Sequence, residues 1–511
     1  MKQKSYASDY EPVTRSPRAR TWESEPEEAW LPRSSNNSSL DMQDEVEEAE
    51  APLPRPTSTR RKAQRSTQPS LLKRGHAIAY AGLFLYIAAV YFRPYEFSES
   101  LAWSINISFY FAIFTLLAFI PSQLASEGTL TARTPEVNYV LLLCLLAFLS
   151  IPLAISPGNS FAYFTNTYIK IVLMFIVMVN VLRTERRLKG LLFLSLLVGC
   201  VMSASALYDY RTGDFAVEGY RVTSSIGVHG LFGNPDDMAL HFVIMFPIAV
   251  GLMFKSRSLF HKALFAGCAL LMVMGILVSF SRGCFLGFVT ILAFLFWRLG
   301  RRHKPLVAVL FLVSTGAFLL LAPGGFLIRI LSIFDHSLDP VGSATARSAI
   351  VLRSILVTLR NPLLGVGIDN FPIMSIRNRV THNSYTQVSS ELGLPALAVY
   401  VMLIVTAIRR LGRVARETYE ERSRRRLHYL AIGVQASLIG YMVSSAFYAV
   451  AFNWHVYYLV GYAVCLWRLN ESEKARTGDK KKALDPAVGD DPVAAAAAAV
   501  AQRLSPATIV R

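Results

Sequence analysis

Apolar segments long enough to cross a membrane recur along most of this chain. Most have about 16 to 22 residues, close to the ~20 that an α-helix needs to cross a hydrocarbon core of ~30 Å. They lie at about 77–92, 103–121, 137–155, 161–182, 190–208, 237–254, 263–280, 283–298, 305–322, 394–408, 429–450 and 452–467. A helix satisfies its own backbone hydrogen bonds in lipid. The sequence therefore predicts an all-α integral membrane protein with about twelve transmembrane helices.

The chain is strongly basic, with 52 Lys and Arg residues against 35 Asp and Glu residues and a formal net charge of +17. Three classes of protein have such a charge: nucleic-acid binders, membrane-surface proteins, and integral membrane proteins with basic cytoplasmic loops. The apolar segments favour the third class. We therefore expect the lipid bilayer as a partner and no nucleic acid.

Cationic residues are concentrated in alternate connections, those after the fourth, sixth, eighth and tenth apolar segments. They are Arg183, Arg186, Arg187, Lys189, Lys255, Arg257, Lys262, Arg298, Arg301, Arg302, Lys304 and the run from Arg409 to Arg426. By the positive-inside rule these loops face the cytoplasm, which also puts both termini there. The connection 122–136 should lie on the same side, although its only cationic residue is Arg133.

The segments outside the apolar region have a different composition. Residues 1–76 contain an acidic block followed by a basic, Pro/Ser/Thr-rich block, and residues 470–511 are low in complexity. The prediction is a disordered cytoplasmic tail at 1–76, a polytopic membrane domain at 77–469 and a low-complexity cytoplasmic tail at 470–511. The five cysteines lie within predicted spans without metal-type spacing, so neither disulfides nor zinc is expected.

The longest polar connection, 324–393, contains six arginines and no lysine, and is predicted to form a large helical extracytoplasmic loop between helices 9 and 10. Apolar residues at helical spacing predict an amphipathic helix over Ser343–Arg360 that lies on the membrane surface and stops at Asn361-Pro362. A short helix should run from about Asn383 to Leu392. His382 would then lie at a helix N-terminus, where the dipole favours a neutral imidazole that could accept a proton.

Several motifs have a specific pattern. They are Gly230-Leu231-Phe232-Gly233-Asn234-Pro235, Ser279-Phe280-Ser281-Arg282-Gly283, Asn361-Pro362-Leu363-Leu364-Gly365-Val366-Gly367, Thr381-His382-Asn383-Ser384-Tyr385 and Glu391-Leu392-Gly393-Leu394-Pro395. Together they resemble the O-antigen ligase and polymerase superfamily, from roughly Ala77 to Leu469. The chain departs from the family where Asp236 replaces the more usual asparagine and where alanine follows Pro395.

The resemblance implies a membrane enzyme of the bacterial inner membrane that acts in polysaccharide and lipopolysaccharide biosynthesis for the cell envelope. Such an enzyme moves a glycan from undecaprenyl diphosphate to a hydroxyl of lipid A core, of a growing glycan or of a protein, at the periplasmic face. The reaction needs cations near the diphosphate and a base for the incoming hydroxyl. Arginine suits the first role and histidine the second.

These considerations select candidate residues and no metal or cofactor. His382 and Arg282 are the predicted catalytic residues, and Arg221, Arg347, Asn383 and Lys170 the predicted substrate-binding residues. Asp236 and Asp237 follow Asn234 and Pro235, so we interpret them as stabilising the first turn of a helix rather than as a metal site.

Simpler interpretations of the candidates remain open. His382 could cap a short helix, and Arg282 could extend to the interface from a helix end. Arg211, Arg353 and Arg360 are outward arginines like Arg221 and Arg347. Lys170, within the fourth span, could reach the diphosphate through a cavity or pair with a polar residue on a neighbouring helix.

A lipid-linked oligosaccharide transporter is the alternative function, since it would also have about twelve spans and arginines for a diphosphate. A transporter should carry paired charges within several spans and show similarity between its halves. The spans contain essentially Lys170 alone, and the polar groups are concentrated in the outward loops, which favours the enzyme.

Overall fold

The computed structural model describes residues 70–92, 106–215, 221–223, 234–299, 326–331, 343–419, 421 and 424–484, with isolated positions between 305 and 316. All of them fall within one of the two units into which the chain divides, Ser66–Arg511. Of the predicted tails at 1–76 and 470–511, residues 1–69 and 485–511 lie outside the described residues.

Every secondary-structure element within these ranges is a helix, as predicted. In chain order the α-helices are α1 (Ser70–Phe92), α2 (Ile107–Glu127), α3 (Pro135–Ser150), α4 (Pro157–Val181), α5 (Glu185–Thr212), α6 (Pro235–Lys255), α7 (Leu259–Val278), α8 (Arg282–Leu299), α9 (Phe326–Leu331), α10 (Ser343–Arg360), α11 (Phe371–Met374), α12 (Ser384–Glu417), α13 (Arg425–Ser444) and α14 (Trp454–Leu484). One π-helical turn, Phe164–Tyr168, interrupts α4.

Eight of the described helices are long and apolar enough to cross a membrane: α2, α4, α5, α6, α7, α8, α12 and α13, the last extended to Phe447. Two shorter apolar helices, His76–Phe92 and Pro135–Ser150, correspond to the first and third predicted spans. The count of twelve is not confirmed. The predicted span 305–322 lies almost wholly outside the described residues, and the predicted span 452–467 falls within α14.

Helix α14 is less apolar than a typical span because it contains His455, Arg468 and Asn470. It also continues to Leu484, beyond the predicted tail boundary at 470, and α1 begins at Ser70, before the predicted boundary at 76. The two boundaries differ because both helices extend as polar turns past their apolar parts, where hydropathy no longer indicates a helix.

Ion pairs connect the cationic loops to one another at one end of the helix bundle. Glu127 lies 2.9 Å from Arg183 and 3.6 Å from Arg468, and Glu185 lies 2.5 Å from Lys255. These contacts join the end of α2 to the start of α5, and α5 to the end of α6. The connection 122–136, which has only one cationic residue, therefore lies at the same end as the strongly basic loops. We call this the basic end.

The sparsely charged connections meet at the opposite end. The Ile155 amide donates to the Val366 carbonyl at 3.1 Å, and the Ser160 hydroxyl donates to the Ile368 carbonyl at 2.7 Å. The Ser384 hydroxyl donates to the Tyr448 carbonyl at 2.7 Å. The loops predicted to face outward are thus joined to one another, and we call this the outer end. The assignment of the two ends to cytoplasm and periplasm stays a prediction.

A kink divides α12 at Gly393, which has φ 86° and ψ 173°. In a straight helix the carbonyls of Ser390 and Glu391 would accept from the amides at positions 394 and 395. Here the Leu394 amide donates to the Pro362 carbonyl at 2.7 Å, and proline has no N–H. Two carbonyls are therefore released at the kink.

The polar segment before α12 uses both released carbonyls. The Val366 amide donates to Ser390 and the Gly367 amide to Glu391, each at 2.9 Å. The Glu391 carboxylate also accepts from the Asp369 amide at 2.8 Å. These bonds hold the turn after α10 against the first half of α12, and so bring together the motifs at Asn361–Gly367 and Glu391–Pro395.

The close contact between these backbones requires glycine. A Cβ at Gly365 would lie 2.2 Å from the Glu391 carbonyl carbon, and a Cβ at Gly393 would lie 2.2 Å from the Leu363 oxygen. Gly365 also has a positive φ of 65°. Both positions are therefore closed to any residue with a side chain.

We expect Gly393→Ala to lower the thermal stability of the purified protein, because it combines a positive φ, which costs about 1–3 kcal/mol, with a backbone clash. Gly267→Ala is the matched control, since a Cβ there meets nothing within 4 Å and lies in a helix. Thermal unfolding in detergent measures both. Equal stability of the two variants would contradict the close packing at the kink.

The topology can be tested with substituted cysteines. Ile376, 52% exposed at the outer end, should as Ile376→Cys react with a membrane-impermeant maleimide in intact cells. Ser258→Cys, in the exposed connection between α6 and α7, should react only after permeabilisation. The unsubstituted chain gives the background from its five native cysteines. The reverse labelling pattern would put the outer end in the cytoplasm.

Candidate functional site at the outer end

His382 lies immediately before α12, at the outer end. Asn383 caps the helix, because its side-chain oxygen accepts from the amides of Tyr385 at 2.9 Å and Thr386 at 3.0 Å. His382 itself has a positive φ of 52°, which is uncommon for a residue other than glycine. The backbone therefore turns sharply at His382 before the helix starts.

A buried carboxylate holds two arginines close to this point. Asp236, in the first turn of α6, lies 2.5 Å from the Arg221 guanidinium through Oδ1 and 3.5 Å from the Arg347 guanidinium through Oδ2. The Arg221 Nε also donates to the Ser279 carbonyl at 3.0 Å. Asp236 thus joins the loop before α6, the hairpin between α7 and α8, and the amphipathic helix α10.

The two arginines differ in exposure. The Arg221 side chain is 4% exposed, whereas that of Arg347 is 26% exposed and makes the longer contact with Asp236. A guanidinium has five N–H donors, so Arg347 retains donors that can face a ligand. Arg221 is thus buried in its contacts with Asp236 and Ser279, and Arg347 is the more accessible of the pair.

The hairpin between α7 and α8 is held against the connection that follows α13. The Ser281 hydroxyl is hydrogen-bonded to the phenol of Tyr448, which also accepts from the Cys284 amide at 3.2 Å. Phe280 has a positive φ of 52°, and a Cβ at Gly283 would lie 2.6 Å from the Phe447 side chain. Arg282 begins α8 in this tight turn and is 9% exposed.

The surroundings of His382 lower the pKa of its imidazole to about 4. Burial is the largest cause, followed by the positive charge of Arg347; Asp236 opposes the shift and Arg379 adds to it. The imidazole is therefore neutral at pH 7, in the direction that the helix start predicted, although burial contributes most. The charges of Arg347, Arg379 and Asp236 act directly on His382.

Asp236, Arg221, Arg347 and His382, with Ser279 and Ser281 of the hairpin and Tyr448, form what we call the outer-end cluster. It contains three of the six predicted site residues: Arg221, Arg347 and His382. Arg282 lies in the hairpin whose Ser279 carbonyl binds Arg221. The side-chain oxygen of Asn383 caps α12, so its NH₂ group is the part that could bind a ligand. Arg347 and Arg353, which the sequence did not distinguish, have different partners. Arg347 binds Asp236, whereas the Arg353 Nε donates to the Met374 carbonyl at 3.0 Å.

Lys170 has different surroundings. It lies within α4, and its ammonium is 5.7 Å from the centre of the Phe109 ring on α2. An aromatic face is a favourable partner for a buried cation. This contact differs from both the polar partner and the diphosphate cavity that the sequence left open, so its role in substrate binding stays a prediction.

Two residues of the cluster were not selected from the sequence. Asp236 is in the first helical turn after the Asn234 cap, as predicted, but its carboxylate also binds both arginines. Its replacement of the family's usual asparagine was the available signal, because a carboxylate offers two charged oxygens where an amide offers one. Tyr448 had no such signal, since it was assigned to an apolar span.

Residues 267–401 match the O-antigen ligase family. This segment runs from within α7 into α12, a narrower range than the resemblance indicated, and it includes Arg282, Arg347 and His382. Arg221 and Asp236 precede it, yet they contact Ser279 and Arg347 within it. No curated protein matches the chain. The chain is therefore similar to the O-antigen ligase family over this segment, which covers about a quarter of its length.

Proposed function

We propose that the protein is a glycosyltransferase of the inner membrane that moves a glycan from undecaprenyl diphosphate to an acceptor hydroxyl at the periplasmic face. The acceptor class comprises lipid A core, a growing glycan chain or a protein. The observation that carries the proposal is the proximity of a neutral imidazole, His382, to a partly exposed guanidinium, Arg347, in the O-antigen ligase segment.

The guanidiniums bind the donor diphosphate. Arg347 is the first candidate, because its side chain is 26% exposed and its remaining donors match pairs of phosphate oxygens. Arg282 would contribute from the start of α8. In the transfer step the acceptor oxygen attacks the anomeric carbon and the bond from that carbon to the diphosphate oxygen breaks. The electron pair leaves with undecaprenyl diphosphate, whose negative charge the arginines stabilise without a metal ion.

His382 is the proposed general base that removes the acceptor proton. With a pKa of about 4 it is unprotonated before the donor binds, but it is then also a weak base. A diphosphate bound at Arg347 would offset the positive charge that lowers this pKa. Donor binding would therefore raise the basicity of His382 when the base is needed.

Asp236 is the proposed positioning residue for the arginines. Its two carboxylate oxygens separate the guanidiniums of Arg221 and Arg347, which would otherwise repel each other at close range. Since the three groups together have a formal charge of +1, the cluster still attracts an anion. The carboxylate thus orients Arg347 without cancelling its charge.

We expect His382→Ala to lower turnover by roughly 10²–10⁴-fold, the range for loss of a general base, with donor binding nearly intact. Arg347→Ala and Arg282→Ala should weaken donor binding as well as turnover, and the lysine variants should recover only part because an ammonium cannot make the two-pronged contact. Release of undecaprenyl diphosphate from a reconstituted lipid-linked oligosaccharide, and direct binding of that donor, measure the two effects.

Arg353→Ala is the matched control, because Arg353 is on the same helix but its Nε donates to a backbone carbonyl. It should bind the donor normally. Loss of donor binding in His382→Ala with the fold intact would make the histidine a phosphate ligand and would require another base. Movement of the donor across vesicles without release of undecaprenyl diphosphate would favour the transporter.

The pH dependence provides a separate test. If His382 must be neutral, kcat/KM should fall on the acid side as pH decreases towards about 4, not towards the ordinary value near 6.5. The acid limb of kcat should lie at higher pH, since the bound diphosphate raises the pKa.

Two variants should shift the kcat/KM limb in opposite directions. Arg379→Gln removes a cation that lowers the pKa of His382 and should move the limb to higher pH. Asp236→Asn removes the opposing anion and should move it to lower pH. Limbs that coincide in all three proteins would exclude His382 as the titrating base.

A further inference from the structure

A cavity with cationic lining residues lies at the basic end, at the opposite end of α6 from Asp236 and its arginines. Its volume is about 320 Å³, and it lies between the ends of α5, α6, α7 and α13. Its lining comprises Lys189, Phe193, Leu252, Lys255, Ser256, Arg257, His261, Phe265 and Arg426. The proposed transfer reaction uses none of these residues.

The cavity has a strong excess of positive charge. Four of its lining residues, Lys189, Lys255, Arg257 and Arg426, are cationic. The carboxylate of Glu185 pairs with Lys255 at 2.5 Å and Lys189 at 2.9 Å through the same oxygen. The lining residues themselves include no carboxylate, so the cavity has a surplus of positive charge.

The arginines account for much of this surplus. Arg257 and Arg426 are exposed, and within the part of the chain that the structure describes neither forms an ion pair. Their N–H donors are therefore available to an anionic ligand. A phosphate group matches them, because guanidiniums bind phosphate oxygens in pairs.

One wall of the cavity is aromatic and continues towards the bilayer. The rings of Phe193 on α5 and Phe265 on α7 are stacked, with centroids 5.9 Å apart and planes at 14°. Phe193 is 43% exposed, Leu197 one turn deeper on α5 is 54% exposed, and Leu264 is 49% exposed. A ligand bound to the cations would thus lie next to an apolar surface, which acyl chains could contact.

We propose that this cavity binds the headgroup of an anionic phospholipid, with its phosphate at Arg257 and Arg426 and its acyl chains along Phe193 and Leu197. Basic cavities between transmembrane helices on the cytoplasmic side are suited to such headgroups. The apolar wall distinguishes a lipid from a soluble phosphate, which would gain nothing from it. The proposal does not depend on the transfer reaction.

Photolabelling in nanodiscs tests the site in the full chain. Photoactivatable phosphatidylglycerol is titrated into phosphatidylcholine nanodiscs, and labelled peptides from α5 and α7 are quantified by mass spectrometry. The double variant Arg257→Gln/Arg426→Gln should raise the half-saturating lipid fraction about tenfold or more, because each cation near the surface contributes ~1 kcal/mol. Phe193→Ala should also weaken labelling.

Arg186→Gln/Arg409→Gln is the matched control, since it removes the same charge from exposed positions at the same end that do not line the cavity. It should label like the parent protein, and thermal unfolding should show that all variants are folded. Three results would overturn the proposal: equal weakening in the control, which indicates general surface attraction; unchanged labelling in the cavity variant; or displacement of the lipid by millimolar inorganic phosphate with no effect of Phe193→Ala.

Discussion

The buried carboxylate of Asp236 holds the outer end together. One oxygen binds Arg221 and the other Arg347, so this side chain joins α6 to the loop before it and to the amphipathic helix α10. Removal of one partner from a buried ion pair costs about 3–5 kcal/mol, because a charge remains buried without compensation. The position of Arg347 beside His382 therefore depends on an anion that takes no direct part in the proposed chemistry.

A second constraint fixes His382 from the other side. The Gly393–Pro395 kink releases two carbonyls of α12, and the amides of Val366 and Gly367 occupy both. The first half of α12 is thereby tied to the turn after α10. Because His382 directly precedes α12 and Arg347 belongs to α10, the same backbone bonds set the distance between the base and the cation.

The charge arrangement at the site has a functional consequence. Before the donor binds, a histidine beside arginines is neutral but weakly basic. A diphosphate is in turn a poor leaving group until its charge is neutralised. The donor diphosphate and the arginines would therefore offset each other's charge. In the proposed reaction a bound donor would reduce the positive field at His382, and the arginines that produce this field would stabilise the departing diphosphate. Proton removal and departure of the carrier would then be coupled through Arg347.

The charged residues of the described structure are arranged differently at its two ends. At the outer end, cations are paired in a network around Asp236 next to a neutral base. At the basic end, Arg257 and Arg426 line a cavity beside Glu185, whose carboxylate is shared by two lysines. Helices α5 and α6 run between the two regions, so one bundle would support the proposed transfer site and the separate proposed lipid site.

The sequence by itself determined the helical membrane fold, the alternation of the loops, the Asn234 cap, the helix start near Asn383, and the candidates His382 and Arg347. These features could be predicted because in lipid the backbone must bond within each helix, so the pattern of nearby residues decides the local structure. Only the tertiary structure distinguished Arg347 from Arg353 and assigned Asp236 to two arginines. Those ion pairs join residues 15 and 111 positions apart, and charge attraction leaves no periodic signal in the sequence.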